Sequence, residues 1–288
     1  MTTLQVLEGR KHFFFLPQDM IRFSFPYRHA DKNEWVRVNG SWEYAVTAGR
    51  ILDSKTGEMR TLLPSGKIAR LVFLWICTQA KVTNNRTVTL KPTMNALLQE
   101  IGIPWSQKNA LEVSNQLQAL INCSLQITRM DSIDSTRRHV EYRKFLLSTE
   151  SQIWFLNGDV DHKQPSQITL SEELYEQLST AVPLDRSACL QLIKTSKSPL
   201  ALDIYFWLCL RLYSHSHSSR ISWRQVHEQF GSQAELKRFK ITFRQGLAKA
   251  IEVYPEARIL EYGADERGKG FKGFILHPSP DPRRQLAS

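Results

Sequence analysis

The chain has 288 residues, 42% of them hydrophobic, which is enough to bury a core and suggests about two domains. It carries a formal net charge of +10, and from Asp185 onward seventeen Lys and Arg face ten Asp and Glu, so +7 of that excess sits in the last third. This balance points to a polyanionic partner and does not by itself separate DNA from RNA or an acidic membrane.

Cys77, Cys123, Cys189 and Cys209 lie far apart in apolar stretches, and none forms a CxxC pair. They read as small buried hydrophobes in a reducing compartment, which argues against a zinc ribbon or a disulfide framework. The N-terminus offers only a short apolar run after Lys11, and Trp207 and Arg211 interrupt the longest later candidate. The expectation is a cytoplasmic protein with no signal peptide and no membrane span.

Residues 1–60 read as an irregular arm rich in aromatics, with SWEYAV (41–46) alternating as a strand does. Regular patterning starts at Ser65. A helix of about five turns covers 65–82, a strand covers 86–91, and a short helix runs from Pro92 to Gly102. Ser106 caps the next helix, and 125–130 with 143–147 bracket a charged hairpin tip. A strand and a Ser171-capped helix follow (168–180), and 182–197 makes a structured join with one Pro and no Gly.

The last third repeats that order. An apolar helix spans 198–213, with Pro199 in its first turn. Ser222 and Gln225 have capping-box spacing at the head of a short helix ended by Gly231. Ser232 and Glu235 have the same spacing at the head of a long helix reaching Tyr254, stopped by Pro255. Residues 258–262 and 271–277 then flank the Gly-rich tip GADERGKG. Long apolar helix, strand, short helix, capped helix and basic hairpin thus occur twice. The fold class expected is α+β and helix-rich: two tandem winged-helix domains (61–184 and 185–288) behind an N-terminal arm (1–60).

On the long C-terminal helix, Leu236, Phe239, Phe243, Leu247, Ile251 and Tyr254 share one face, which the spacing predicts to be buried. Arg238, Thr242, Gln245 and Lys249 follow the same period on the opposite face, with Lys237 and Arg244 between. Such side chains read base edges or neutralise phosphates, and equally populate any solvated helix face. Arg267, Lys269 and Lys272 in the hairpin tilt the reading toward DNA. In the first module Lys108 sits on the capped helix beside Gln107, Glu112, Asn115, Gln116 and Gln118, and Arg137, Arg138, Arg143 and Lys144 belong to the hairpin. Those residues support either DNA contact or a dimer interface, and the sequence leaves both open.

Three other constellations carry less. GADERGKG has the GxxxxGK spacing of a phosphate loop but lacks the following Ser or Thr and joins two strands. His215 and His217 sit in a Ser-rich loop, where solvent-exposed histidines are expected. Asp159 and Asp161 have the spacing of a two-metal carboxylate pair, yet Asn157, Gly158 and His162 mark a turn. No cofactor site and no assembled active site is expected.

Taken together, KSPLALDIYFWLCLRL (197–212), RISWRQVHEQFG (220–231), YPEARI (254–259) and LHPSP (276–280) resemble the C-terminal region of the plasmid-encoded RepA replication initiator family. FPYRHADKNEWVRVNG (25–40) and PLDRSACLQLIKTSKSPLALDIY (183–205) are similar to other parts of it, so the resemblance covers most of 25–280. It implies an initiator, similar in build to the twin winged-helix initiators of iteron plasmids, that binds repeated double-stranded origin sites as a monomer. It further implies melting of nearby AT-rich DNA, recruitment of the host replication initiator and helicase, and a homodimer that represses its own gene. The alternatives to an initiator are a repressor built on the same modules and a primase-like or nicking enzyme using Asp159 and Asp161.

Overall fold

The computed structural model describes residues 12–29, 32–53, 56–132, 138–153, 165–213, 217–263 and 270–280. Helices and strands are mixed throughout, as expected for an α+β chain. The first long helix, α2 (Gly66–Thr83), is buried along most of its length, from Ala69 to Ala80. The apolar helix of the second half, α7 (Leu200–Tyr213), is the same kind of element. Buried side chains from Phe14 to Leu276 form one continuous hydrophobic cluster, so the two halves share a core.

The predicted repeat is visible in the element order and is more exact in the sheets than the sequence suggested. In the second half, β12 (Ser219–Ser222) is followed by α8 (Trp223–Gln229), α9 (Leu236–Glu252), β13 (Ile259–Tyr262) and β14 (Gly273–Leu276). The strands pair antiparallel in the order β12–β14–β13. In the first half, β6 (Thr87–Thr89) is followed by α3 (Met94–Glu100) and α4 (Gln107–Asn122). Its strand partners are β10 (Gln167–Leu170) and β9 (Ser148–Gln152), in the order β6–β10–β9. Each unit therefore pairs its first strand with its third and its third with its second.

The hairpin expected to close the first unit, 125–147, does not do so. Strands β7 (Ser124–Ser132) and β8 (Arg138–Leu146) instead join β2 (Glu34–Asn39) and β3 (Trp42–Thr47) in a four-stranded sheet ordered β2–β3–β7–β8. The alternation of β3 aligns Tyr44 with Ile127 and Val46 with Leu125. All four are buried, and a slip of β3 by one residue would turn Tyr44 and Val46 to solvent.

This overturns the irregular N-terminal arm. In its described residues that segment supplies α1 (Gln18–Arg22), β2, β3 and β1 (Phe13–Leu16), and β1 pairs with β11 (Val182–Asp185) at the join between the halves. A further hairpin, β4 (Gly49–Leu52) with β5 (Met59–Leu62), lies on α4. Gly49 is required there, because a Cβ at that position would fall 1.9 Å from the Asn122 carbonyl oxygen. The segments α5 (Glu172–Gln177) and α6 (Arg186–Thr195) carry the chain between the units.

One buried ion pair fastens the halves. Arg70 on α2 donates from Nε to Asp203 Oδ1 (2.7 Å) and from Nη2 to Oδ2 (2.9 Å) on α7. Its remaining donors reach the Gly66, Phe25 and Pro26 carbonyls, and Ser24 donates to the second carboxylate oxygen. Asp203→Asn leaves this guanidinium buried without its counter-charge, and urea unfolding should show a loss of about 3–5 kcal/mol. A double replacement, Arg70→Met with Asp203→Leu, should recover most of that loss.

Candidate nucleic-acid interface

The second unit presents α9 through a cluster of aromatic rings. Trp223 packs edge-on against Phe274 at 4.6 Å between centroids and against Phe243 at 5.6 Å. Phe243 also meets Phe230 at 5.1 Å and Phe239 at 5.4 Å. Phe239, Phe243, Leu247 and Tyr254 are buried as predicted, whereas Ile251 is half-buried and Leu236 is exposed. Leu236 escapes because it is the first helical residue and lies beyond the edge of the ring cluster.

Start signals differ between the two helices of this unit. Ser222 and Gln225 make the predicted reciprocal capping box at α8. The expected second box does not form: α9 begins after Glu235 with no side-chain cap, and Ser232 accepts a bond from the Ala234 amide instead. The intervening turn is fastened from α8, where His227 Nε2 donates to the Ala234 carbonyl at 2.7 Å.

Outward from the rings, Lys237, Arg238, Thr242 and Gln245 are all exposed, with Ile241 among them. The Thr242 hydroxyl donates back to the Phe239 carbonyl at 3.0 Å. Arg244 is held sideways. Its Nε and Nη2 lie 2.9 and 2.7 Å from the two oxygens of Glu261 on β13, and its guanidinium sits 5.1 Å from the Trp223 ring centre. Lys249 does not extend the stripe, because its ammonium donates to the Thr195 carbonyl (2.7 Å) at the end of α6. That carbonyl has no helical partner, and a cation satisfies both it and the helix dipole. Lys272 is exposed at the base of the β13–β14 hairpin, and Arg267 and Lys269 at its tip lie outside the described residues.

The equivalent helix of the first unit is covered. Lys108 is exposed at the start of α4, but Gln116 and Gln118 are buried. Gln116 accepts from the Ser65 amide, and Gln118 both accepts from and donates to the backbone of Leu52 in β4. These amides are therefore spent inside the protein. Arg138 is exposed on β8, Arg143 lies 3.4 Å from Asp19, and Arg137 is outside the described residues. The outer face of the four-stranded sheet exposes Val36, Val38, Tyr142 and Leu146.

His217 is exposed, whereas His215, Asp159 and Asp161 fall outside the described residues. Among the described residues no group of three or more His, Cys, Asp or Glu side chains is placed to hold a metal ion. All four cysteines are buried and unbridged, and burial pushes the Cys123 thiol up to about 12. No described helix is long and apolar enough to cross a membrane.

Comparison with known proteins agrees with this architecture. Residues 63–225 match the family described as plasmid encoded RepA protein. Two solved structures share the fold at 10% sequence identity. One is a crystal structure of domains 2–3 of RctB (TM-score 0.55, covering 93% of this chain and 99% of that one). The other is a selenomethionine derivative of RctB domains 2 and 3 (TM-score 0.54, 88% and 92%). No curated protein matches the chain.

The Arg244–Glu261 pair has a defined pH signature. Hydrogen bonding to Arg244 holds the Glu261 carboxyl below its ordinary 4.5. Its folded value is thus depressed, so the contribution to stability is complete above pH 4.5 and lost as pH falls through the folded value. Melting curves of wild type and Glu261→Gln should differ at pH 7 and draw together as the pH is lowered below 4.5.

Proposed function

The chain belongs to the plasmid-encoded RepA family of replication initiators, and we propose that it binds repeated duplex origin sites through two winged-helix units. In this reading α9 is the helix that enters the major groove, and the β13–β14 hairpin is the wing that follows the backbone. The observation that carries it is the exposed run Lys237, Arg238, Thr242 and Gln245, set outward by a buried ring cluster on the other side of the same helix. Arg and Gln supply bidentate contacts to guanine and adenine edges, and Lys237 and Lys272 supply phosphate neutralisation. Origin opening and recruitment of a host initiator and helicase follow from this role, and the chain acts by binding, not by catalysis.

The first unit has a different part. With Gln116 and Gln118 consumed internally, α4 offers only its first turns, around Lys108, to DNA. A second reading, in which this half joins two copies of the chain, is favoured by the exposed Val36, Val38, Tyr142 and Leu146 on one sheet face. Such a dimer suits repression of the protein's own promoter.

Supplying the protein in trans to a plasmid carrying only the origin tests the initiator reading, since a plain repressor leaves that plasmid unreplicated. On the parent origin, Arg238→Ala should lose about 1–3 kcal/mol of affinity and relax specificity at one base pair. Lys249→Met should leave DNA affinity and its salt slope unchanged while lowering the melting temperature. Footprinting and salt titration of the two variants decide between α9 and any other contact face.

A further inference from the structure

Between the inner face of the four-stranded sheet and α7 lies a cleft of about 280 Å³, bordered by α1 and by the end of α8. Three arginines line it: Arg22 on α1, Arg37 on β2 and Arg211 on α7. Arg37 is only 5% exposed, and its Nε and Nη1 have no hydrogen-bond partner. The Arg211 Nε is likewise buried and unpartnered. Within ion-pair distance, among the described residues, neither guanidinium has a carboxylate. Asp203 also lines the cleft, but both its oxygens are engaged by Arg70 and Ser24. Arg22 is already joined to Asp19 at 3.2 Å.

An uncompensated buried guanidinium costs far more than a paired one. Desolvation depresses both Arg37 and Arg211; Tyr27 and the Asp203 charge partly offset it at Arg37, and the Arg22 charge adds to it at Arg211. The protein nevertheless builds carefully around Arg37. Its guanidinium lies 5.8 Å from the centre of the Phe230 ring. Its aliphatic stem runs beneath Gly231, where a Cβ would come within 3.2 Å of Arg37 Cγ and Cδ. Gly231 stands at φ +57, a conformation that glycine adopts without strain.

We propose that this cleft is a phosphate-group site in which Arg37 and Arg211 donate to the oxygens of a bound oxyanion, with Arg22 at its mouth. Arginine forks match phosphate geometry, and burial strengthens the contact. The cleft holds an inorganic phosphate or pyrophosphate, and a backbone phosphodiester of bound DNA supplies the same chemistry. Binding of a free anion stands apart from the role given to α9, whereas a DNA phosphate extends it.

The full-length protein tests this with sodium pyrophosphate titrated at constant ionic strength, followed by tryptophan fluorescence, because Trp42 and Trp207 line the cleft. A saturable one-to-one response and a rise in melting temperature of several degrees are expected, weakened at least tenfold in Arg37→Met and in Arg211→Met. Arg211 is less buried, so Arg211→Met keeps the test open should Arg37→Met fail to fold. If the phosphate belongs to DNA, pyrophosphate gives no saturable response. Arg211→Met then weakens duplex binding on every sequence and lowers the salt slope by about one. Arg238→Ala, measured alongside, separates loss of base reading from loss of this site. Absence of both the pyrophosphate response and the slope change overturns the proposal.

Discussion

The arrangement of the two halves depends on the buried contact of Arg70 with Asp203. Burying both charges is expensive, and the mutual attraction compensates only when geometry and remaining donors are nearly ideal. Here the fork is bidentate and the spare donors end on three carbonyls. Those acceptors come from α2 and from the 24–26 segment, while the carboxylate comes from α7. A shift of α2 against α7 by one helical turn would strand the charge, so the pair selects one docking among those that hydrophobic burial alone would permit. A second tie works in the same direction. Lys67 donates to the Ile193 and Ser196 carbonyls, and Lys249 donates to Thr195, so ammonium groups from both halves meet at the C-terminal end of α6.

Only one of the two similar units leaves the polar face of its long helix open. Both have the same strand order and the same helical succession. The first is covered, since the β4–β5 hairpin lies on α4 and its Leu52 backbone engages Gln118, while Gln116 accepts from the Ser65 amide. It also carries the β7–β8 hairpin, which pairs with the N-terminal strands and not with β6. The second unit has neither, so α9 keeps its polar face open. Net charge is distributed in the same sense, with most of the excess after residue 184.

Most helices were legible because their signals are local. Spacing of three and four gave the buried face of α9, the length of an apolar run gave α7, and Ser106, Ser171 and Ser222 cap the helices expected of them. The β13–β14 hairpin was equally clear. What could not be read were pairings between distant segments: β1 with β11, β3 with β7, and β6 with β10. A short alternating strand carries a face but no address, so its partner is set by the tertiary packing that buries that face. The same limit applies to single side chains. Lys249 has the period of the exposed stripe, but its long stem reaches a helix end contributed by another segment. Ser232 and Glu235 have the spacing of a cap, yet His227 already holds the turn at Ala234 and the helix starts later. Arg37 gave no signal at all, because in sequence it is one polar residue in an alternating strand.

The location of Arg37 ties these observations together. It is on β2, a strand from the segment that looked like a loose arm, and it lies beneath Gly231, the residue that ends α8 and leads toward α9. The rings of Phe230, Trp207 and Phe243 connect that turn to the buried side of α9. The cleft therefore adjoins the turn that leads into α9. That turn is held by the His227 bond to Ala234 and by the packing of Gly231 on the Arg37 stem. The N-terminal strands thus serve two ends. They complete the four-stranded sheet, and they place one buried cation beneath Gly231 in the second unit.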